Sequence, residues 1–199
     1  MANTDRPFGF KLWDELIRTT LYAIPTAPTI NVSMNDAVVH GGAHVQSAKA
    51  GGCPIIEDGS VPDGDPGIVG VVQECFDENM DPILYIPVGR VGDGTVAGFV
   101  LVSDSPDQLY VVQEDSVTNA ITATEGGQNV NIISVALCAP NTTTGISTME
   151  LDSDSAATTA ALQCKLIGPH PDDTIASDYC RYIVQLNEHY AGDTIAGVS

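Results

Sequence analysis

This sequence predicts an all-β protein, a compact barrel or sandwich of short antiparallel strands with long loops and an extended N-terminal arm. Three observations lead there. The 199 residues include 19 Gly and 12 Pro and are rich in Val, Thr, Ser and Asp, which suits turns and extended chain better than helices. About nine strand-length runs, apolar or alternating apolar with polar, are separated by polar turns. No stretch carries the 3.6-residue periodicity of a long amphipathic helix.

In chain order, residues 1–28 differ from the rest. Arg6, Lys11 and Arg18 are three of the seven basic residues, and Phe8, Phe10, Trp13 and Tyr22 cluster with them. A short helix over residues 13–21 fits, stopped by Pro25 and Pro28. Aromatic residues and Arg are enriched in interface cores, so these seven residues form a candidate docking arm. The same segment equally suits a strap over the protein's own core.

Residues 29–190 read as the β domain. Residues 35–39 form a strand that the HGGAH stretch at 40–44 breaks, and residues 50–67 read as a surface loop. The continuous apolar run at 68–73 suits a buried strand. An acidic turn at 77–82 leads to a strand at 83–88. Residues 99–102 (FVLV) and 109–112 (LYVV), joined across SDSPD, read as a central β-hairpin. One helical turn fits 116–120 and a strand fits 131–137. Residues 146–151 and 162–167 alternate with period two, residues 182–186 close the domain, and 191–199 form a tail.

Charge narrows the function. Against 26 Asp and Glu stand only 7 Lys and Arg, a formal net charge of −19. Phosphate backbones and anionic membranes repel such a surface, so neither nucleic acid nor membrane is an expected partner. The opening residues lack a basic segment followed by an apolar one, and no apolar run approaches the roughly 20 residues that span a bilayer. The expectation is a soluble protein made in a cytoplasm. Cys53, Cys75, Cys138, Cys164 and Cys180 are widely spaced with no Cys-x-x-Cys pair, which favours buried free thiols over zinc ligands or a disulfide framework.

The motifs that carry chemistry are incomplete. His40, His44 and Cys53 are soft ligands at a spacing that imposes no metal geometry. Asp77, Asn79 and Asp81 match the start of a calcium loop, but Pro82 and Val88 occupy the positions of its Gly and bidentate Glu. Asp58, Asp63 and Asp65, or Asp152 and Asp154, offer looser cation sites. There is no Gly-x-Ser-x-Gly elbow, Ser-x-x-Lys motif or phosphate-binding loop. Neither a cofactor, a metal nor a catalytic residue is expected.

Three stretches together resemble one family. Residues 1–3 (MAN) with 5–9 (DRPFG), residues 99–106 (FVLVSDSP) with 110–116 (YVVQEDS), and residues 149–153 (MELDS) with 181–189 (RYIVQLNEH) are similar to head decoration, or capsid cement, proteins of tailed bacteriophages. The chain departs from that family at 11–16 (KLWDEL), where the family carries a basic stretch. The resemblance implies a non-enzymatic virion protein on the outer surface of the head, which clamps neighbouring major capsid subunits and associates with itself as a homotrimer. A tail or adhesion component of the same virion, or a β-sandwich enzyme, is the alternative reading.

Overall fold

The computed structural model describes residues 3–47, 51–58, 67–116, 119–133, 141–192 and 197, with residues 40–47 and 51–58 described by their backbone alone. The strands are β1 (Lys11–Leu12), β2 (Thr19–Pro25), β3 (Val32–Ser33), β4 (Ala37–Ser47), β5 (Gly51–Asp58), β6 (Ile68–Phe76) and β7 (Pro82–Ile83). They continue with β8 (Tyr85–Ile86), β9 (Val96–Ser103), β10 (Leu109–Gln113), β11 (Asn129–Val130), β12 (Cys164–Pro169) and β13 (Arg181–Leu186). Helix among the described residues is confined to short 3-10 turns such as Ala123–Glu125 and Ser153–Ser155. The fold is all-β, as the composition requires.

Two layers organise these strands. β4, β5, β2, β9 and β6 are hydrogen-bonded in that order, and β6 returns to β4, so the five strands close into a ring with β7 appended to β6. All the ring contacts are antiparallel except the parallel bridge between Ala23 of β2 and Ile55 of β5. The second layer is an antiparallel sheet in the order β1-β10-β13-β12-β11.

Alternation along the strands sends side chains to two cores. Ala37, Ile68 and Val71 leave the ring to pack with Tyr110, Val112, Leu166, Tyr182 and Val184 of the second sheet. Their neighbours Val38, Val69 and Val72 turn the other way, joining Tyr22, Ile24, Val100 and Val102. The small β3-β8 pair contributes Val32 and Ile86 to that second cluster. Strands buried on both faces read as continuous apolar runs, which is why residues 68–73 lack alternation.

Several expectations are corrected. Residues 99–102 and 109–112 do not form a hairpin: β9 pairs with β2 and β6 in the ring, while β10 pairs with β1 and β13 in the other sheet. The intervening residues form a crossover between layers, and the two strands are buried on both sides by different partners. Residues 13–21 form no helix, because Thr19 to Pro25 are drawn into β2 by the full length of β9. The HGGAH stretch does not end β4, which runs through it with a register shift between His40 and His44. Residues 51–58 are strand, not loop, as partners of β4. The predicted strand at 83–88 is reduced to β7 and β8, and residues 146–151 make isolated bridges from Ile146 and Leu151 only. The helical turn expected at 116–120 is not present in its described residues, and most of 131–137 lies outside the description.

Close approach fixes several glycines, Gly9 and Gly70 among them. Gly9 has φ +66°, and a Cβ there would lie 2.5 Å from both the Asn35 carbonyl oxygen and Ser147 Cβ. A Cβ on Gly70 would lie 1.9 Å from the Ser103 carbonyl oxygen, where β6 meets β9. Gly168, by contrast, faces open space. Gly9→Ala and Gly70→Ala should each cost about 1–3 kcal/mol, seen as a lowered midpoint in thermal unfolding. Gly168→Ala should leave that midpoint nearly unchanged.

Candidate functional site

The candidate docking residues lie on a segment that the body of the protein holds down. β1 pairs with β10, and the Trp13 backbone amide donates to the Leu109 carbonyl at 3.1 Å. Two buried glutamines extend this attachment. Gln113 accepts from the Arg6 amide at 3.0 Å and donates to the Thr4 carbonyl at 2.8 Å. Gln108 accepts from the Ile17 amide at 2.9 Å and donates to the Asp14 carboxylate at 2.7 Å. Phe10 is fully buried and meets Tyr110 edge-on at 6.0 Å. From residue 4 onward the segment is fastened along the protein's own body, with Phe10 in the core and residues 13–18 facing solvent.

A buried carboxylate ties the strap to the crossover. Asp104 accepts from Arg18 Nε at 2.7 Å and from the Tyr22 hydroxyl at 3.1 Å, while Arg18 Nη2 donates to its backbone carbonyl at 2.5 Å. Burial works to raise the Asp104 carboxyl, but hydrogen bonds from Arg18, Thr20 and Tyr22 outweigh it and hold the group below its usual range. The Tyr110 hydroxyl donates to the Ser103 carbonyl at 3.1 Å, closing the corner from the other side.

The seven predicted residues therefore separate. Phe10 and Tyr22 are interior residues and are withdrawn as contact candidates: a side chain needed by its own core is not free to enter a partner. Arg18 is solvent-facing at its tip but engaged with Asp104. Arg6, Lys11 and Trp13 are exposed, and Phe8 is half-buried. Leu16 and Ile17, on the same segment, are 47% and 55% exposed. They are apolar residues that a helical reading of 13–21 would have turned inward.

Beside this segment lies an open groove of about 770 Å³, lined by Phe8, Lys11, Trp13, Met34, Ile146 and His170, among others. His170 meets the Trp13 ring edge-on at 5.3 Å and thereby orients it. Arg181 borders the groove and is held by a two-pronged ion pair to Asp173 at 2.6 and 2.9 Å. That guanidinium keeps the Asp173 carboxyl below its usual range. Met34, Ile146, His170 and Arg181 were not identifiable as site residues, since topology alone brings them beside the strap.

Elsewhere, acidic groups serve the protein's own turns. Asp77 accepts from the amides of Asn79 and Asp81 at 2.7 and 2.9 Å, and Glu78 pairs with Arg90 at 2.6 Å. Asp152 accepts from the Asp154 amide, and Asp154 from the Asn119 side chain. No group of three or more His, Cys, Asp or Glu is placed to hold a metal among the described residues. The side chains of His40, His44, Cys53, Asp58, Asp63 and Asp65 lie outside the description, as does Cys138. Cys75, Cys164 and Cys180 are buried free thiols, and burial raises the Cys75 thiol to about 12. No helix of the described residues is long and apolar enough to cross a membrane. No protein-family model and no curated protein matches the chain.

Two carboxyls are unusual. Glu114 is fully buried, accepting from the Ile121 and Cys180 amides at 2.7 and 3.2 Å, and burial raises it to about 7 despite those bonds. Burial, reinforced by Asp5 and Asp115, also raises Glu150 to about 7, and its buried Oε1 atom has no hydrogen-bond partner.

Asp104→Ala should destabilise by about 1–3 kcal/mol, because it strips the Tyr22 hydroxyl and the Arg18 guanidinium of their acceptor; limited proteolysis should then cut within residues 11–18 faster than in the parent. The Glu114 and Glu150 carboxyls keep their protons in the folded state at pH values where the unfolded chain, titrating near 4.5, has lost them. Their stabilising contribution is therefore full below about pH 4.5 and lost as pH rises through 7. Thermal unfolding should show a higher midpoint at pH 5 than at pH 8, and the double variant Glu114→Gln, Glu150→Gln should flatten that dependence.

Proposed function

We propose that this chain is a head decoration, or cement, protein of a tailed bacteriophage, which binds the outer surface of the expanded capsid and clamps neighbouring major capsid subunits. The observation that carries the reading from the geometry is that Trp13, Leu16 and Ile17 are exposed on one segment whose backbone is fastened by hydrogen bonds at Trp13 and Ile17, on a protein of net charge −19. Exposed apolar side chains on a pre-ordered backbone lose little entropy on docking, which suits a partner that binds by shape. The three stretches that resemble the decoration family support the same reading: two of them contribute β9, β10 and β13, the strands around the strap.

In this reading the protein makes no bonds and uses no cofactor. A ligand that binds only the expanded lattice stabilises that state by mass action, and repetition over a shell multiplies modest contacts into a durable one. Self-association as a homotrimer at threefold positions of the lattice would supply that repetition. The acidic remainder of the surface repels nucleic acid and other particles from the head exterior, so the capsid is the partner and neither DNA nor membrane competes.

The test is sedimentation with purified expanded heads. The parent chain should co-sediment in numbers comparable with the major capsid subunit, whereas a tail component would be present in far fewer copies. The Trp13→Ala, Leu16→Ser, Ile17→Ser variant should bind at least about tenfold more weakly with an unchanged unfolding midpoint. Failure of the parent chain to bind heads, or undiminished binding by the variant, overturns the proposal.

A further inference from the structure

The groove beside β1 differs in chemical character from two other grooves of the described residues, which hold Asp172 and Asp173, or Asp107. None of its lining residues is Asp or Glu, on a chain with 26 of them. Its walls and floor are largely apolar, with Phe8, Leu12, Trp13, Met34, Val111 and Ile146. Among the described cations, Arg18, Arg90 and Arg181 are each engaged by a carboxylate of the same chain, whereas Arg6 and Lys165 form no ion pair but line grooves that also hold Asp172 and Asp173, or Asp107. Lys11, exposed at the rim, forms no ion pair. A lone lysine beside an apolar groove, on a chain otherwise crowded with carboxylates, is positioned for a negative charge that comes from outside.

We propose that this groove receives an extended polypeptide segment of the partner protein, carrying a carboxylate that pairs with Lys11 and an apolar side chain that packs on Phe8, Trp13, Met34 and Ile146. Charge complementarity selects the occupant: a basic segment would be drawn to the many carboxylates elsewhere, whereas this groove presents a cation with no Asp or Glu in its lining. The Trp13 ring, braced by His170, gives the apolar side chain a preformed wall. The inference rests on the decoration reading only for which protein carries the segment, here the major capsid subunit.

Trp13 is the single tryptophan of the chain, so its fluorescence reports on the groove directly. The probes are two short peptides, one alternating Glu with Leu and the other Lys with Leu. The Glu–Leu peptide should produce a saturable change in Trp13 emission that weakens with added salt, and by about tenfold in Lys11→Glu, while the Lys–Leu peptide should produce none. No response to the Glu–Leu peptide, an equal response to both peptides, or an unchanged response in Lys11→Glu overturns the groove assignment. With heads, Lys11→Glu should bind more weakly than the parent chain; equal binding also overturns it. Absence of head binding by the parent chain, alongside a normal peptide response, overturns the decoration reading and leaves the groove standing.

Discussion

The crossover from Ser103 to Gln108 is the constraint on which the rest of the structure depends. It carries the chain from the ring to the second sheet, and its first residue after β9 is a carboxylate, Asp104, at 2% exposure. An ion held out of water costs several kcal/mol unless donors surround it. Here Arg18, just before β2, and Tyr22, within it, supply them. Because Arg18 is about half exposed, the ion pair itself contributes little; the value of the arrangement lies in giving both buried Asp104 carboxylate oxygens a donor. The result is that strap, ring and second sheet meet at one corner with one geometry.

Much of the sheet structure was legible because burial imprints itself on sequence. The runs at 68–73, 99–102, 109–112 and 182–186 fall on strands, and the run at 162–167 does so from residue 164. Pairing was not legible. A five-residue polar turn between two apolar runs joins partners in one sheet or strands in two, and nothing in the turn distinguishes them. The hint lay in β9 itself, whose unbroken apolar run signals burial on both faces, unlike a hairpin with one face in water. β2 was misread against its own residue types: Thr19, Thr20, Tyr22 and Ile24 favour strand, and pairing with β9 fixes the conformation.

The candidate site divides along the same line. Composition identified the N-terminal segment as unusual, and Arg6, Phe8, Lys11 and Trp13 do face solvent or a groove. Phe10 and Tyr22 have the same residue types but the opposite fate, because an aromatic ring serves a core or an interface equally well. Residues contributed by distant chain, such as Ile146 and His170, become neighbours only through the sheet order. Gln108 and Gln113 carried a readable signal, being long polar side chains beside and within an otherwise apolar strand, where each must find buried partners.

Those two glutamines have a consequence for the protein's working environment. Amide side chains carry no net charge, so the bonds by which Gln113 holds Thr4 and Arg6, and Gln108 holds Ile17, are largely indifferent to ionic strength. A chain whose many carboxylates respond strongly to counterions thus keeps its leading segment fastened by neutral clips. Dilute buffer and concentrated brine alike would find that segment in one shape.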